Sequence, residues 1–239
     1  MITRLAFACL ALLFLAALPS AEAETRAERV ERLAPAFEAI VFGLRPRPIV
    51  LRVDGPVVLQ PSGPFSDESR AVLQRHAEDL TLLTGYAVRV GDGEDTRPEE
   101  RPFWIYLSLA KDMPPHLDRS WIAGWLQRRM PASFCAFVTR GDHRIKEAVI
   151  TINLGLTEET IQHCLIEETS QSLGAIDDTP RLNPSAFNDL GGLVDRLQPD
   201  DRVILRALFA PEMRAGLQRE EVLGLLPGIL DRAIAAEEN

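Results

Sequence analysis

The chain has 239 residues and a formal net charge of −9 at pH 7, from 35 acidic and 26 basic side chains. This length suits one domain of good size, and the acidic balance argues against nucleic acid as a partner, because phosphate backbones are bound by an excess of Lys and Arg. The charges are scattered along the sequence, which indicates a solvated surface rather than an interaction tail.

The N-terminus has the three parts of a secretory signal peptide. Arg4 precedes an apolar run over 5–18, and Ala21 and Ala23 supply the small residues of an A-x-A cleavage site. The alternative is a membrane anchor, but the apolar run is short for a bilayer span and no second apolar segment follows it. We therefore expect a signal peptide over 1–23 and a periplasmic or secreted protein that is not an integral membrane protein after cleavage.

The rest of the sequence mixes helical and strand-like patterns. Apolar residues at helical spacing predict a helix over 26–42, within an N-terminal arm over 24–45 that precedes a domain over 46–239. Further helices are predicted from Ser66 to Gly85, over 117–129, from Thr157 to about Leu173, from near Asp200, and over 219–236. Strands are predicted in RPRPIVLRVDG, YAVRV, FWIYLSLA, SFCAFV and EAVITINL. Together these elements predict the α+β class.

Two cysteines follow the predicted signal peptide, Cys135 and Cys164. An even pair in an oxidising compartment predicts a disulfide bond, here between the strand at 134–138 and the first half of the helix that follows Thr157. The alternative is two buried free thiols, since cysteine also behaves as a small apolar residue.

The stretch IEETSQSLGAIDD carries the candidate site. It keeps the spacing of the zinc-peptidase pattern H-E-x-x-H-x-x-G-x-x-H, and the defined positions are occupied by Glu167, Glu168, Gln171, Gly174 and Asp177. None of the three metal-binding histidines of the pattern is present, so the spacing survives without the ligands.

Helical periodicity directs one of these acids inward. Glu168 falls on the apolar face of the helix, beside Ile161 and Leu165. Two interpretations of this carboxylate stay open. It is either a retained general base or a structural acid that is hydrogen-bonded to backbone or paired with an arginine such as Arg206.

The remaining positions of the pattern lie beside that face. Glu167 and Gln171 share one flank, one turn apart, as two ligands of a single ion would. His163 lies more than half a turn from the centre of the apolar face, so we expect it to face solvent or the flank. The other histidines are dispersed, and the sequence assigns them no role.

Three segments carry a resemblance to known families: CLIEETSQSLG, SAFND and LQPDDRVILRALFAPEMRAG. Over most of the mature chain the sequence is similar to a bacterial family of extracytoplasmic proteins, domain-of-unknown-function family 2927. Over about 147–210 it also resembles metzincin-type zincins, in which a turn of the type S-I-M follows the metal-binding helix and a last helix opens with L-S-x-D-D. Phe187 then stands where those peptidases have methionine, and 197–201 open the helix that corresponds to their last helix.

The resemblance implies a zincin-like fold, with a twisted mixed sheet backed by helices, a long central helix and a small C-terminal helical part. Zinc, however, prefers imidazole and thiolate ligands, whereas Glu167, Gln171 and Asp177 offer only oxygen. We therefore expect no zinc and no zinc-activated water, while calcium, which takes oxygen ligands, is not excluded.

The expected function follows from this degenerate site. We expect a zincin-like protein without peptidase activity that binds a peptide, a glycan or an envelope protein. One alternative is a metallopeptidase-like hydrolase that uses Glu168 as general base, and another is an inert structural protein of the envelope. Whether the protein is an enzyme stays open at this point, because a fold does not fix a function.

Overall fold

The computed structural model describes residues 24–43, 48–93, 95–108, 135–188 and 190–239. The helices of this part are α1 Arg26–Phe42, α2 Asp67–Thr84, α3 Glu158–Ser172, α4 Pro199–Leu208 and α5 Arg219–Glu237. Its strands are β1 Arg52–Val53, β2 Val57–Ser62, β3 Val88–Val90, β4 Arg101–Ser108, β5 Cys135–Gly141 and β6 Arg144–Asn153. The predicted signal peptide and the predicted helix at 117–129 lie outside the described residues.

The strands form one mixed sheet. The residue patterns predicted only the α+β class, and a mixed sheet was implied by the resemblance to zincins. The sheet has the order β1-β6-β4-β2-β3 with parallel pairing throughout, and β5 adds an antiparallel pairing to β6. Consecutive residues of β2, β4 and β6 are buried, which indicates that the middle of the sheet is covered on both faces. The chain is therefore a mixed α/β structure with a mostly parallel sheet.

Strand β2 was missed by the sequence analysis, although it lies inside the sheet. Its sequence VVLQPS is short and contains Pro61, which argues against an interior strand because proline cannot donate to the ladder. The pairing of β2 explains how the proline is accommodated. Strand β3 pairs with β2 only over 57–59. At Pro61, β4 is therefore the one strand that pairs with β2 among the described residues. The strand predicted around Ile49 is much shorter than expected, and Ile49 itself forms an isolated bridge to Gln218.

The helix limits follow the capping signals of the sequence. Ser66 accepts a hydrogen bond from the backbone of Ser69 at 2.9 Å, and Gly85 ends α2 in the left-handed conformation that glycine adopts without strain. Thr157 caps α3 through the backbone N–H of Thr160. These local signals were sufficient to place both helices correctly.

Helix α1 shares the main hydrophobic core. Its residues Leu33, Phe37 and Ile40 are fully buried in the same apolar cluster as the sheet, and its polar side forms an ion pair of 2.8 Å between Arg29 and Asp200 of α4. In the described part of the chain, no helix combines the length and apolarity that a membrane span requires.

The predicted disulfide is confirmed. Cys135 of β5 is bonded to Cys164 of α3 across a sequence separation of 29 residues. This bond fixes the antiparallel strand of the sheet against the first half of α3, and it rules out the alternative of two free thiols.

Asp201 is a buried carboxylate that ties the turn at 185–187 to helix α4. One oxygen accepts from the hydroxyl of Ser185 at 2.6 Å, and the other accepts from the backbone N–H groups of Ala186 and Gln198, each at 2.9 Å. Burial raises the pKa of Asp201 to about 6, although these three donors act in the opposite direction. The two segments quoted for the zincin resemblance are thus hydrogen-bonded to each other.

We predict that Asp201→Ala lowers the free energy of unfolding by about 3 kcal/mol, because it leaves two buried donors and one partly buried donor without an acceptor. Asp201→Asn should cost much less, since the amide oxygen can serve the two backbone N–H groups while the amide nitrogen donates to Ser185. Urea unfolding of both variants at one pH measures the difference. Equal losses in the two variants would contradict this account of the turn.

Asp201 also predicts a pH dependence of stability. Its folded-state pKa of about 6 lies above the unfolded value of about 3.9. Its contribution to the free energy of unfolding is therefore fully present below about pH 4 and is lost as the pH rises through about 6. Between these limits the unfolding free energy of Asp201→Asn should change less with pH than that of the wild type, as urea titrations at closely spaced pH values would show.

We also expect the disulfide to contribute about 3 kcal/mol to the free energy of unfolding, because it restricts the unfolded chain. Unfolding by urea with and without a dithiol reductant measures this difference in the wild type. The double substitution of Cys135 and Cys164 by alanine is the control, and reductant should not change its stability.

Candidate functional site

Helix α3 is buried on nearly every side. Strands β5 and β6 pack against it on one side and α2 packs against it on another, and every residue from 163 to 172 is buried. A helix covered in this way has no single apolar stripe, so helical periodicity could not show which of its residues face solvent. The prediction that His163 faces solvent is wrong, because its exposed fraction is 6%; the alternative, a position on the flank of the apolar face, agrees with its i,i+4 contact with Glu167.

His163 and Glu167 lie together beside the disulfide. The backbone N–H of Val194 donates to Nδ1 of His163 at 3.1 Å, so in the neutral ring the proton is on Nε2. That Nε2 lies 3.6 Å from Oε2 of Glu167, and the same carboxylate oxygen lies 3.8 Å from Sγ of Cys135. The structure therefore places Glu167 against the disulfide and an oriented imidazole.

The other two degenerate metal positions make different contacts. Nε2 of Gln171 donates to Oδ1 of Asp178 at 2.8 Å. Asp177 donates its backbone N–H to the carbonyl of Ile40 at 3.1 Å, and its carboxylate packs so closely on Gly43 that a Cβ there would lie 2.0 Å from Oδ2. Asp177 thus holds the C-terminal end of α1 against the segment after α3.

Donor atoms suited to a metal meet at one place among the described residues. There, a sulfur from each of Cys135 and Cys164 and a carboxylate oxygen of Glu167 lie within 4.8 Å of one another. The two sulfurs are bonded to each other, so neither is a thiolate. Gln171 and Asp177 do not belong to this group.

Glu168 is buried, as the periodicity predicted, with an exposed fraction of 5%. Arg206, suggested above as a partner for this acid, instead pairs with Glu237 of α5 at 3.3 Å. The structure thus retains Glu168 as an interior acid on the helix that carries the degenerate pattern.

His76 of α2 is a buried residue to which the sequence analysis assigned no role. Its Nε2 lies 3.2 Å from Oγ of Ser170 on α3, and the Ser170 hydroxyl donates to the carbonyl of Ile166 at 2.7 Å. Because the serine proton is already donated, Nε2 of His76 carries a proton and donates to Ser170. Burial lowers the pKa of His76 to about 4, against an opposing effect of Asp79, so the ring is neutral at pH 7.

This pair is not a nucleophile and its base. A catalytic base would accept the serine proton, whereas here the imidazole is the donor. The sequence carried one signal for the position, since His76 falls at helical spacing among apolar residues of α2, including Val72 and Leu80, which are also buried.

The comparisons with known proteins give a family without an assigned activity. A protein-family model described as "Protein of unknown function (DUF2927)" matches residues 31–228. No curated protein matches the chain, and no solved structure does. The match covers most of the sequence, including the sheet, α3 and the turn held by Asp201. The chain belongs to the DUF2927 family of proteins of unknown function.

Proposed function

We propose that this chain is an exported, zincin-like protein that holds an extended peptide along the outer edge of strand β5, which has no partner strand among the described residues, without hydrolysing it. The observation that carries the proposal is the position of this edge strand, which is bonded through Cys135 and Cys164 to the helix with the degenerate metal positions. A peptide lying along β5 would pass beside that helix.

The framework supports the zincin-like part of the proposal. Helix α3 follows directly on strand β6, an antiparallel strand adjoins that strand, and the turn at 185–187 is fixed to the start of α4 by Asp201. They correspond to parts that the resemblance to zincins implies: a mixed sheet, a central helix, a turn beyond it and a helix opening with paired acids, which in this chain is followed by α5.

The chemistry of the donors supports the absence of hydrolysis. Zinc does not fit Glu167, Gln171 and Asp177, because their side chains supply oxygen atoms only, whereas catalytic zinc sites rely on imidazole. Glu167 also contacts the disulfide, and Gln171 donates to Asp178. We therefore assign no step to a zinc-bound water, and the site loses the source of the peptidase nucleophile.

The edge of β5 supports peptide binding. In the described part of the chain, β5 pairs with β6 alone, so alternate backbone N–H and C=O groups of 135–141 point away from the sheet. An extended peptide can add to such an edge as a further strand, with affinity from main-chain hydrogen bonds. Strand β3, at the opposite end of the sheet, has only three residues and offers a much shorter edge.

A displayed library of random peptides, selected on the chain from residue 24 to 239, tests this proposal. A selected peptide, once synthesised, should perturb the backbone amide signals of β5 and leave those of β3 unchanged. Perturbation confined to other elements would contradict the proposed edge.

Adjacent proline variants provide the control. Val138→Pro and Thr139→Pro each remove one N–H, and in an antiparallel strand one of the two points toward β6 while the other points outward. We expect one variant to lose stability, and the other to keep the wild-type melting temperature but bind the peptide at least about threefold more weakly. If the stable variant binds normally, the peptide does not use this edge.

We predict that the purified mature protein contains no stoichiometric zinc. The oxygen donors described above are the reason, and elemental analysis of protein that has not been exposed to chelators is the measurement. Stoichiometric zinc would contradict the proposal. Stoichiometric calcium would show that the protein binds a hard cation through oxygen ligands.

Substitution of Glu168 distinguishes a structural role of this residue from a catalytic one. Glu168→Gln keeps the shape and most hydrogen bonds of the side chain, so it should change peptide binding and the melting temperature little. Glu168→Ala should cost about 1–3 kcal/mol of unfolding free energy, because it leaves a void and unpaired donors. A hydrolytic activity of the wild type that disappears in Glu168→Gln, with an unchanged melting temperature, would show that this residue is a general base.

A further inference from the structure

The disulfide between β5 and α3 lies beside a buried carboxylate. Sγ of Cys135, Sγ of Cys164 and a carboxylate oxygen of Glu167 lie within 4.8 Å of one another. Once reduced and deprotonated, the two sulfurs are thiolates, and two thiolates with one carboxylate are a donor set that zinc accepts. This set differs from the degenerate positions Glu167, Gln171 and Asp177, because it includes sulfur.

The distances among these donors are close to those of a tetrahedral zinc site. With Zn–S bonds of about 2.3 Å and Zn–O bonds of about 2.1 Å, two sulfur ligands lie about 3.8 Å apart, and a sulfur and an oxygen ligand lie about 3.6 Å apart. Sγ of Cys135 is 3.8 Å from Oε2 of Glu167. The Cα atoms of Cys135 and Cys164 are 6.0 Å apart. Once the S–S bond is broken, rotation of the two side chains therefore separates the sulfurs by the distance that a shared ion needs.

His163 orients the carboxylate and is not itself a ligand of this site. Its Nδ1 accepts a hydrogen bond from the backbone N–H of Val194 at 3.1 Å, so the ring proton is on Nε2, which lies 3.6 Å from Oε2 of Glu167. A ring nitrogen that carries a proton does not bind a metal, whereas an N–H group that faces a carboxylate ligand helps to fix its position. The site thus has three protein ligands, and the fourth position of a tetrahedral ion is open.

The two cysteines differ in exposure, which sets the order of a thiol–disulfide exchange. Cys135 is partly exposed, whereas Cys164 is 1% exposed. A thiolate of a dithiol reductant therefore attacks Sγ of Cys135 and displaces Cys164 as a thiolate, and the second thiol of the reductant then releases Cys135. The protein gains two electrons and two protons, and the reductant becomes a disulfide.

We infer that reduction of the bond between Cys135 and Cys164 creates a zinc site from these two sulfurs and Glu167. Zinc displaces the two thiol protons when it binds. When a disulfide oxidant takes two electrons from the thiolates, the S–S bond forms again and the ion leaves. The disulfide and the metal exclude each other, because both need the same two sulfurs. The oxidised protein therefore contains no zinc, and the inference does not rest on peptide binding at β5.

Cobalt is the probe for this site, because Co²⁺ takes the place of zinc and absorbs light when thiolates bind it. The chain from residue 24 to 239 is reduced with a phosphine, which does not compete for the ion as thiols do, and is titrated with Co²⁺. We expect one Co²⁺ per chain with thiolate-to-cobalt charge-transfer absorption, and none in the oxidised protein. Excess zinc should remove this absorption.

A matched pair of variants on α3 tests the third ligand. Glu159 is exposed on the same helix and lies outside the donor cluster. Glu167→Gln should raise the dissociation constant for Co²⁺ at least about tenfold, the loss that even an outer group of a metal site causes, and Glu159→Gln should leave it unchanged. Glu167→Asp keeps the charge but withdraws the oxygen by one methylene, so it should weaken binding as well. Cys164→Ser should abolish the absorption of a two-thiolate site.

Three results would overturn the inference. The first is a reduced wild type that binds no Co²⁺, including a chain that unfolds on reduction and does not regain its near-ultraviolet circular dichroism with zinc. The second is an equal affinity for Co²⁺ in Glu167→Gln and Glu159→Gln, which means that the carboxylate is not a ligand. The third is equal binding by the oxidised protein, which places the ion elsewhere. None of them bears on peptide binding by the oxidised protein, which is tested separately.

Discussion

The burial of helix α3 on nearly all sides is the constraint on which the other features depend. Ten consecutive residues, 163–172, lie in the interior, and most of them are polar or ionisable. A buried polar group destabilises a fold unless a partner satisfies it. The surrounding elements meet this need with the Val194 backbone for His163, His76 for Ser170 and Asp178 for Gln171. The polar character of α3 thus determines much of what is packed around it.

The same constraint explains how the degenerate pattern differs from a metal centre. In such a centre the side chains at the pattern positions converge on one ion, whereas here they diverge. Glu167 lies against the disulfide, Gln171 bonds to Asp178, and Asp177 packs on the end of α1. Each side chain has become part of a separate internal contact.

The two sides of α3 therefore differ in what lies against them. Toward β5 the helix is covalently tied to a strand whose outer edge suits an extended main chain. Toward α2 it borders a small cavity whose lining includes His76, two arginines and two aspartates.

The sequence by itself determined the features that depend on neighbours along the chain or on very few residues. The side chains of Ser66 and Thr157 accept hydrogen bonds from nearby backbone N–H groups and so set the starts of α2 and α3. Only two cysteines follow the predicted signal peptide, so only one pairing was possible. The helical pattern around Glu168 placed that acid in the interior. Only the tertiary structure decided the burial of His163, the contacts of Gln171 and Asp177, the role of His76 and the place of β2 in the sheet. Those properties depend on residues distant in sequence, such as Val194 for His163 and β4 for β2. A local pattern predicts which face of a helix is apolar, but it cannot show that a helix is covered on several faces at once.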